Sequence, residues 1–136
     1  MNIYIASSWR NQHAVQLLSA ELRRRGHLVA SFVDEAIRRE GKELDFKRDI
    51  DQWIESDAGR TKYNYDRQHA VSANIVIYIG PSGCDAWAEV GLAAGADVPI
   101  LGLLSKGETI GLMRHIVTWY RTADDLLAAL TTNERN

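Results

Sequence analysis

The sequence contains a single cysteine, Cys84, and only two prolines among its 136 residues. One cysteine excludes an intramolecular disulfide, so the chain is not a disulfide scaffold and its predicted compartment is the cytoplasm. Two prolines and ten glycines exclude a collagen-like or proline-rich disordered chain. Hydrophobic residues make up 46% of the chain and charged residues 25%. These proportions are those of an ordinary globular protein, and the length predicts one domain over residues 1–136.

The sequence also lacks an excess of charge and a long hydrophobic run. Sixteen basic residues stand against eighteen acidic ones, which gives a formal net charge of −2, whereas nucleic-acid-binding domains usually carry a basic excess. No apolar run approaches the roughly 20 residues that cross a bilayer. The N-terminus shows no signal-peptide pattern. We therefore expect neither a nucleic-acid polymer nor a membrane as a partner.

The order of the predicted elements indicates an α/β fold. Helical spacing of apolar residues predicts helices over 10–25, 42–57, Asp85–Gly95 and Ala123–Leu130, and short apolar runs predict strands at Ile3–Ala6, Leu28–Phe32, Ile75–Ile79, Val98–Leu104 and Val117–Tyr120. Such alternation is typical of parallel βαβ units. Right-handed crossovers then favour an open, doubly wound parallel sheet of about five strands, flavodoxin- or Rossmann-like, with strand order 2-1-3-4-5 and helices on both faces.

Open sheets of this kind bind ligands at the carboxyl ends of their strands, where the strand order reverses. Here that crevice lies between the first strand and the Ile75–Ile79 strand. Ser7, Ser8 and Arg10 follow the first strand, where hydroxyls, backbone N–H groups and a guanidinium suit an anion or a sugar hydroxyl. Simple capping of the next helix by Ser7 or Ser8 explains the serines equally well.

Two acidic residues follow the other strand of the crevice. Asp85 and Glu89 are four residues apart, hence on one face of the predicted helix. Asp85 is interpreted as a helix cap, whereas Glu89 is a lone acid in an apolar helix aimed at the crevice. Gly91 is expected to let this helix approach the sheet closely. A third polar segment, Lys62–Arg67, is predicted at the start of the helix that leads into the Ile75–Ile79 strand.

Together these segments resemble the nucleoside 2-deoxyribosyltransferase family and its relatives that hydrolyse nucleotide N-glycosidic bonds. Residues 3–12 look like the family's first strand and substrate loop, Tyr63–Asp66 like its catalytic aspartate segment, and residues 83–93 like its nucleophile helix with the core E-x-G-x-A. The resemblance spans residues 3 to 104. It implies cleavage or transfer at the N-glycosidic bond of a nucleoside or nucleoside monophosphate, with no metal and no cofactor.

The resemblance implies roles for the matching positions. Glu89 would attack the anomeric carbon and form a covalent glycosyl-enzyme, and Asp66 would orient it or handle the proton at the base. Ser8 and Arg10 match the phosphate-binding positions of the nucleotide-hydrolysing members, whereas Trp9 and Gln12 look more like the transferases. The implied substrate-binding residues are Tyr4, Ser7, Ser8, Trp9, Arg10, Tyr65, Gly80, Ser82, Gly83, Asp85 and Met113.

The resemblance also implies a homodimer or a higher even oligomer. Relatives complete each site with a polar residue of the neighbouring subunit just before a methionine. Here residues 105–113 occupy that region, and Gly111 stands at the matching position before Met113. A hydroxyl or amide contact is therefore missing or is supplied by another residue.

Glu89 is expected to be ionised at neutral pH, as a nucleophile must be. The helix N-terminus and hydroxyl donors on Tyr4, Tyr65 and Ser8 should lower its pKa by more than burial raises it. Two alternatives to a nucleoside enzyme stay open. One is a non-catalytic nucleotide-binding or sensing domain, and the other is an NAD-cleaving domain of the Toll/interleukin-receptor type, which also uses a glutamate in an α/β frame.

Overall fold

The computed structural model describes residues 1–40, 50–109 and 111–135. Its strands are β1 (Asn2–Ala6), β2 (Leu28–Ser31), β3 (Ile75–Ile79), β4 (Ile100–Leu103) and β5 (Thr118–Tyr120). Its helices are α1 (Gln12–Arg24), α2 (Phe32–Glu40), α3 (Ile50–Glu55), α4 (Asp57–Ser72), α5 (Cys84–Gly95) and α6 (Ala123–Arg135). Two short 3-10 helices span Trp9–Asn11 and Leu112–Ile116.

The five strands form one parallel sheet in the order β2-β1-β3-β4-β5. This confirms the predicted doubly wound α/β fold and its strand order. Strand β3 is buried along its whole length, as its continuous apolar run predicts. Ile5 pairs with Ile77 and Ala6 with Tyr78, so β1 and β3 reach the carboxyl edge of the sheet together.

Alternating side chains of the strands build a core on each face of the sheet. Ile3 and Ile5 of β1 belong to one core, with residues of α1 and α6. Tyr4 and Ala6 belong to the other, with residues of α4 and α5. The period of two along a strand produces this division. It buries Tyr4 completely beneath α4 and α5, on the face where Glu89 of α5 also lies.

The segment after β2 differs from its prediction. The strand was expected to include Phe32, but it ends at Ser31 and α2 begins at Phe32. Ser31 Oγ accepts a hydrogen bond from the Asp34 backbone N–H at 3.1 Å, which is the interaction of a helix N-cap. Phe32 and Val33 are buried in the first core. The apolar run is therefore continuous in sequence, although the backbone changes from strand to helix within it.

The predicted helix over residues 42–57 lies partly outside the described residues. Its described part is α3, which ends at Glu55, and a separate helix starts at Asp57. Ser56 caps that helix, because its Oγ accepts from the Gly59 backbone N–H at 3.1 Å. Residues 63–66 therefore lie in the middle of α4 and not at the start of a helix, as predicted.

The remaining elements differ from prediction mainly at their ends. The fourth strand begins at Ile100 and the fifth at Thr118, while α6 continues to Arg135. The expected close approach at Gly91 is wrong, because Gly91 is exposed and a Cβ there would meet nothing within 4 Å. The tight contact at Gly102 of β4 is a different one, because a Cβ there would collide with the side chains of Val117 and Trp119. None of the described helices combines the length and the apolar character needed to cross a membrane.

Candidate active site

A set of hydrogen bonds joins the ends of β1 and β3 at the crevice. Ser7 Oγ donates to the Ile79 carbonyl at 2.6 Å. Asn11 Nδ2 donates to Ser7 Oγ at 3.1 Å and to the Pro81 carbonyl at 2.9 Å. Arg10 Nε donates to the same Pro81 carbonyl at 3.1 Å. Ser7 and Arg10, both predicted to bind substrate, thus hold the two walls of the crevice together, and Asn11 is a third residue in that network.

Helix α5 carries Glu89 into the protein interior. The helix starts after Gly83, and Asp85 in its first turn is exposed. Ala86 and Val90 face the sheet in the second core. Glu89 follows Asp85 by one helical turn and lies close to α4. The Glu89 side chain is only 7% exposed. An ionisable group at this depth requires a partner or a function.

Asp66 comes to the same place from α4. Its charge raises the pKa of Glu89, and the Tyr4 hydroxyl interacts with both carboxyl groups. The structure therefore brings together the two predicted catalytic residues and one predicted substrate-binding residue, from three different elements. Tyr65, the neighbour of Asp66, packs its ring against His69 at a centroid distance of 4.1 Å.

Buried polar atoms without a well-formed hydrogen bond concentrate around this pair. Among the described residues, six such atoms belong to side chains of the candidate site: Tyr4 Oη, Ser8 Oγ, Trp9 Nε1, Lys62 Nζ, Asp66 Oδ1 and Glu89 Oε2. Leaving a buried donor or acceptor unpaired costs about 1–3 kcal/mol. A concentration of such atoms is therefore typical of a surface that binds a polar ligand.

Burial dominates the ionisation of both carboxyl groups. It raises the pKa of Glu89 to about 8, with the Asp66 charge acting in the same direction. Burial also raises the pKa of Asp66, to about 6. The expectation that Glu89 is ionised at neutral pH is therefore wrong. Glu89 lies beyond the first turn of α5, where the helix dipole fades, so desolvation outweighs its hydroxyl donor.

Because each charge raises the cost of ionising the other group, the two carboxyl groups titrate as one coupled pair. One protonated acid beside one carboxylate is the composition that retaining glycosidases use, with the acid serving the leaving group and the carboxylate serving as nucleophile. The Tyr4 hydroxyl interacts with both groups, which offers a path for the proton between them.

Lys62 is a residue of this site to which the sequence analysis gave no role. Its Nζ lies 3.8 Å from Asp66 Oδ2 and 4.8 Å from the centre of the Phe32 ring. The spacing of Lys62 and Asp66, four residues apart in one helix, is the sequence signal that could have revealed the contact. The helix was expected to begin at the segment that starts with Lys62, whereas α4 begins at Asp57.

Trp9 lines the same region from the end of β1. Its ring packs edge-on against Phe32 at a centroid distance of 5.7 Å. A separate groove of about 510 Å³ runs beside β2, and Tyr4 and Tyr65 are among its lining residues. Asn2 and Leu28 also line this groove, so it opens toward the amino ends of the strands. It is therefore not the crevice at the carboxyl edge.

Other predicted substrate residues make a different set of contacts. Ser82 Oγ shares a hydrogen bond of 2.7 Å with the Tyr78 hydroxyl, which donates to both carboxylate oxygens of Glu108 at 2.8 and 2.9 Å. Trp87 Nε1 donates to Glu108 at 3.2 Å, and the Glu108 carboxylate lies directly against Gly80. Glu108 thus fastens the loop after β4 to the β3–α5 turn.

Two predicted residues lie open to solvent. Gly83 precedes α5 and has free space around its Cα. Met113 is 63% exposed and its neighbour Leu112 is 80% exposed, both in the 3-10 helix after Gly111. Two adjacent large apolar side chains with this exposure are typical of a contact surface.

The fold and the paired carboxyls define an α/β domain with a buried acidic site. No protein-family profile matches the chain, and no curated protein matches it either. Solved structures, in contrast, do match the chain. A 2-deoxyribosyltransferase from the psychrotolerant bacterium Bacillus psychrosaccharolyticus is similar with a TM-score of 0.66 and 21% identity, covering 93% of this chain and 90% of that one. The Clostridium botulinum CMP N-glycosidase BcmB is similar with a TM-score of 0.60 and 14% identity, covering 96% and 99%. The chain thus shares their fold over nearly its whole length.

Proposed function

We propose that this protein cleaves or transfers the N-glycosidic bond of a nucleoside or nucleoside monophosphate, with Glu89 as the nucleophile. The observation that carries the proposal is the Asp66–Glu89 pair, whose pKa values are both raised by burial and which lies beside polar atoms that have no well-formed hydrogen bond. The two structural neighbours, which are a deoxyribosyltransferase and a CMP N-glycosidase, support it.

Since Glu89 has the higher pKa of the two, its proton must first pass to Asp66, which leaves the proton on Asp66 and the charge on Glu89. A Glu89 carboxylate oxygen bonds to the anomeric carbon as the carbon–nitrogen bond breaks. The electron pair of that bond leaves with the base, which takes the proton from Asp66. Water or a second base then attacks the same carbon, its proton returns to Asp66, and the Glu89 carboxylate is released. Two displacements at one carbon retain its configuration.

The other side chains bind and position the substrate in this proposal. Trp9 and Phe32 form an apolar wall against which a base or sugar packs. The unpaired Ser8 Oγ and Trp9 Nε1 donate hydrogen bonds to substrate oxygens or nitrogens. Asp85, exposed at the start of α5, lies close enough for its charge to raise the pKa of both Asp66 and Glu89. It therefore borders the site.

The test is to incubate the protein with a panel of deoxynucleosides, nucleoside monophosphates and NAD. Chromatography then measures the free base that is released. Free base from a deoxynucleoside or a monophosphate supports the proposal, and an added second base distinguishes transfer from hydrolysis. Nicotinamide release alone would favour the NAD-cleaving alternative. Tight binding of a nucleotide without turnover would favour a sensing domain.

We also propose a homodimer or higher even oligomer, located in the cytoplasm, in which Met113 approaches the partner's site. The exposed pair Leu112 and Met113 supports this, because it follows the loop that Glu108 fastens beside the crevice. Light scattering at micromolar concentration tests the assembly. A monomer with full activity would overturn it.

A further inference from the structure

We propose that Lys62 is a positioning residue whose ammonium group, held between the Phe32 ring and Asp66, is the counter-ion of the Asp66–Glu89 pair. Lys62 lies outside the predicted catalytic set. The effect of its charge on catalysis rests on the function proposed above, whereas its effect on the ionisation of the two carboxyl groups does not.

The placement of the Lys62 ammonium group is the first support. Lys62 Nζ lies 3.8 Å from Asp66 Oδ2, within ion-pair range but beyond a hydrogen bond. The atom is buried and has no hydrogen-bond partner among the described residues. Its side chain is 19% exposed and that of Asp66 is 16% exposed. A charge pair so poorly hydrated interacts more strongly than one on the surface.

The apolar surroundings of Lys62 are the second support. Its Nζ faces the Phe32 ring at 4.8 Å, in the range of a cation–π contact. Phe32 is buried and in turn holds Trp9 edge-on. Lys62 is therefore fixed between an aromatic wall of the site and its acidic pair, whereas most surface lysines extend freely into water.

The charges that surround the pair show why a counter-ion matters. Asp85 raises the pKa of both carboxyls and His69 lowers that of Asp66, while Lys62 lowers the pKa of both. Tyr4 faces the pair from β1 with a hydroxyl and no charge. Lys62 is thus a charged group that opposes burial and repulsion at both carboxyls. Its removal would raise the pKa of both.

The discriminating experiment compares Lys62→Met, Lys62→Arg and the matched control Arg67→Met. Arg67 lies in the same helix but is exposed, so its removal changes the net charge equally without touching the site. Asp66 and Glu89 are labelled with carbon-13 and their carboxyl signals are followed from pH 4 to pH 10. We expect Lys62→Met to move the titration of the pair upward by about one pH unit or more. Lys62→Arg and Arg67→Met should stay within about 0.3 unit of the wild type.

A thermal series on the same variants keeps the inference testable if one of them is less stable. Removing the counter-ion favours the protonated folded state, so the loss of stability should grow as pH rises. We expect Lys62→Met to melt at or above the wild-type temperature at pH 5 and at least about 3 °C below it at pH 9. An equal deficit at both pH values would show a purely structural role and overturn the inference.

The pH dependence of kcat/KM tests the effect of the Lys62 charge on catalysis. If a substrate is found, the rising limb of kcat/KM against pH should move upward in Lys62→Met by the same amount as the carboxyl titration, with activity recovered at high pH. A shifted titration with no base release from the wild type would leave Lys62 as the counter-ion and overturn the proposed function instead. Base release with an unshifted titration would overturn the role of Lys62.

Discussion

The charge of Asp66 in α4 raises the pKa of Glu89 in α5, although 23 positions separate them in sequence and they lie in different helices. The two helices pack side by side over the sheet, with Tyr4 of β1 beneath them. Three elements thus converge on two acidic side chains, and burial raises the pKa of both. The molecule gives up stability at neutral pH to hold this arrangement, because each buried charge is poorly solvated.

Glu89→Gln should change how stability depends on pH. The folded-state pKa of Glu89 is raised from 4.5 to about 8, so its contribution to stability is fully present below pH 4.5 and is lost as pH rises through 8. Glutamine does not titrate. We therefore compare free energies of unfolding. The value for the variant minus that for the wild type should be at least about 2 kcal/mol larger at pH 9 than at pH 5. Urea unfolding at both pH values measures this.

Asp124→Asn is the control for that measurement, because Asp124 is an exposed acid at the start of α6. It should follow the wild-type pH dependence. If Glu89→Gln also follows the wild-type curve, Glu89 is already solvated or ionised in the folded protein, and burial does not raise its pKa.

Much of the fold follows from local sequence pattern. The apolar runs at Ile75–Ile79 and Ile3–Ala6 predict two strands, and β3 and β1 form there. The strand-to-helix change at Phe32 was missed, because an apolar run does not reveal where the backbone switches. Its signal was the N-cap formed by Ser31.

The site is less accessible to sequence reasoning than the fold. Spacing identifies Asp85 and Glu89 as neighbours on a helix, but burial of Glu89 depends on how α4 packs beside α5. The sign of its pKa shift therefore required the tertiary structure. Lys62 was overlooked for the same reason, since its distance from Asp66 depends on α4 being continuous from Asp57.

Tyr4→Phe should separate stability from ionisation. The Tyr4 hydroxyl is buried without a well-formed hydrogen bond, so its removal should stabilise the protein at pH 5 by about 1 kcal/mol. The same hydroxyl favours the charged forms of Asp66 and Glu89. The gain should therefore shrink as pH rises to 9, and the rising limb of the activity profile should move upward.

Tyr63→Phe provides the comparison for Tyr4→Phe, since Tyr63 is 60% exposed on α4. It should leave both the stability and the pH profile unchanged. A loss of stability in Tyr4→Phe at pH 5 would mean that the hydroxyl already has a strong partner, and that the donors in the site are not free for a ligand.

Glu108→Ala should release the loop after β4. The carboxylate accepts from Tyr78, which is fully buried, and from Trp87, which is partly buried, so its removal takes an acceptor from both donors. We expect a loss of about 1–3 kcal/mol, with a smaller loss in Glu108→Gln because an acceptor oxygen remains. Hydrogen exchange at the Thr109 amide should become faster, since that N–H donates to Glu108 at 3.0 Å.

Lys106→Ala, an exposed residue of the same loop, is the control for Glu108. If Glu108→Ala exchanges no faster than this control, the loop is held by its backbone and the carboxylate does not fasten it.

Base release is measured for the wild type, Glu89→Ala, Glu89→Gln and Asp124→Asn. Thermal unfolding of the same preparations is recorded in parallel. The comparison shows directly whether Glu89 is the nucleophile. The account predicts folded Glu89 variants with base release reduced at least about 10³-fold, because the nucleophile is gone. It predicts wild-type rates for Asp124→Asn and a bell-shaped wild-type pH profile with limbs near 6 and 8. A folded Glu89→Ala protein that releases base at the wild-type rate would contradict the account.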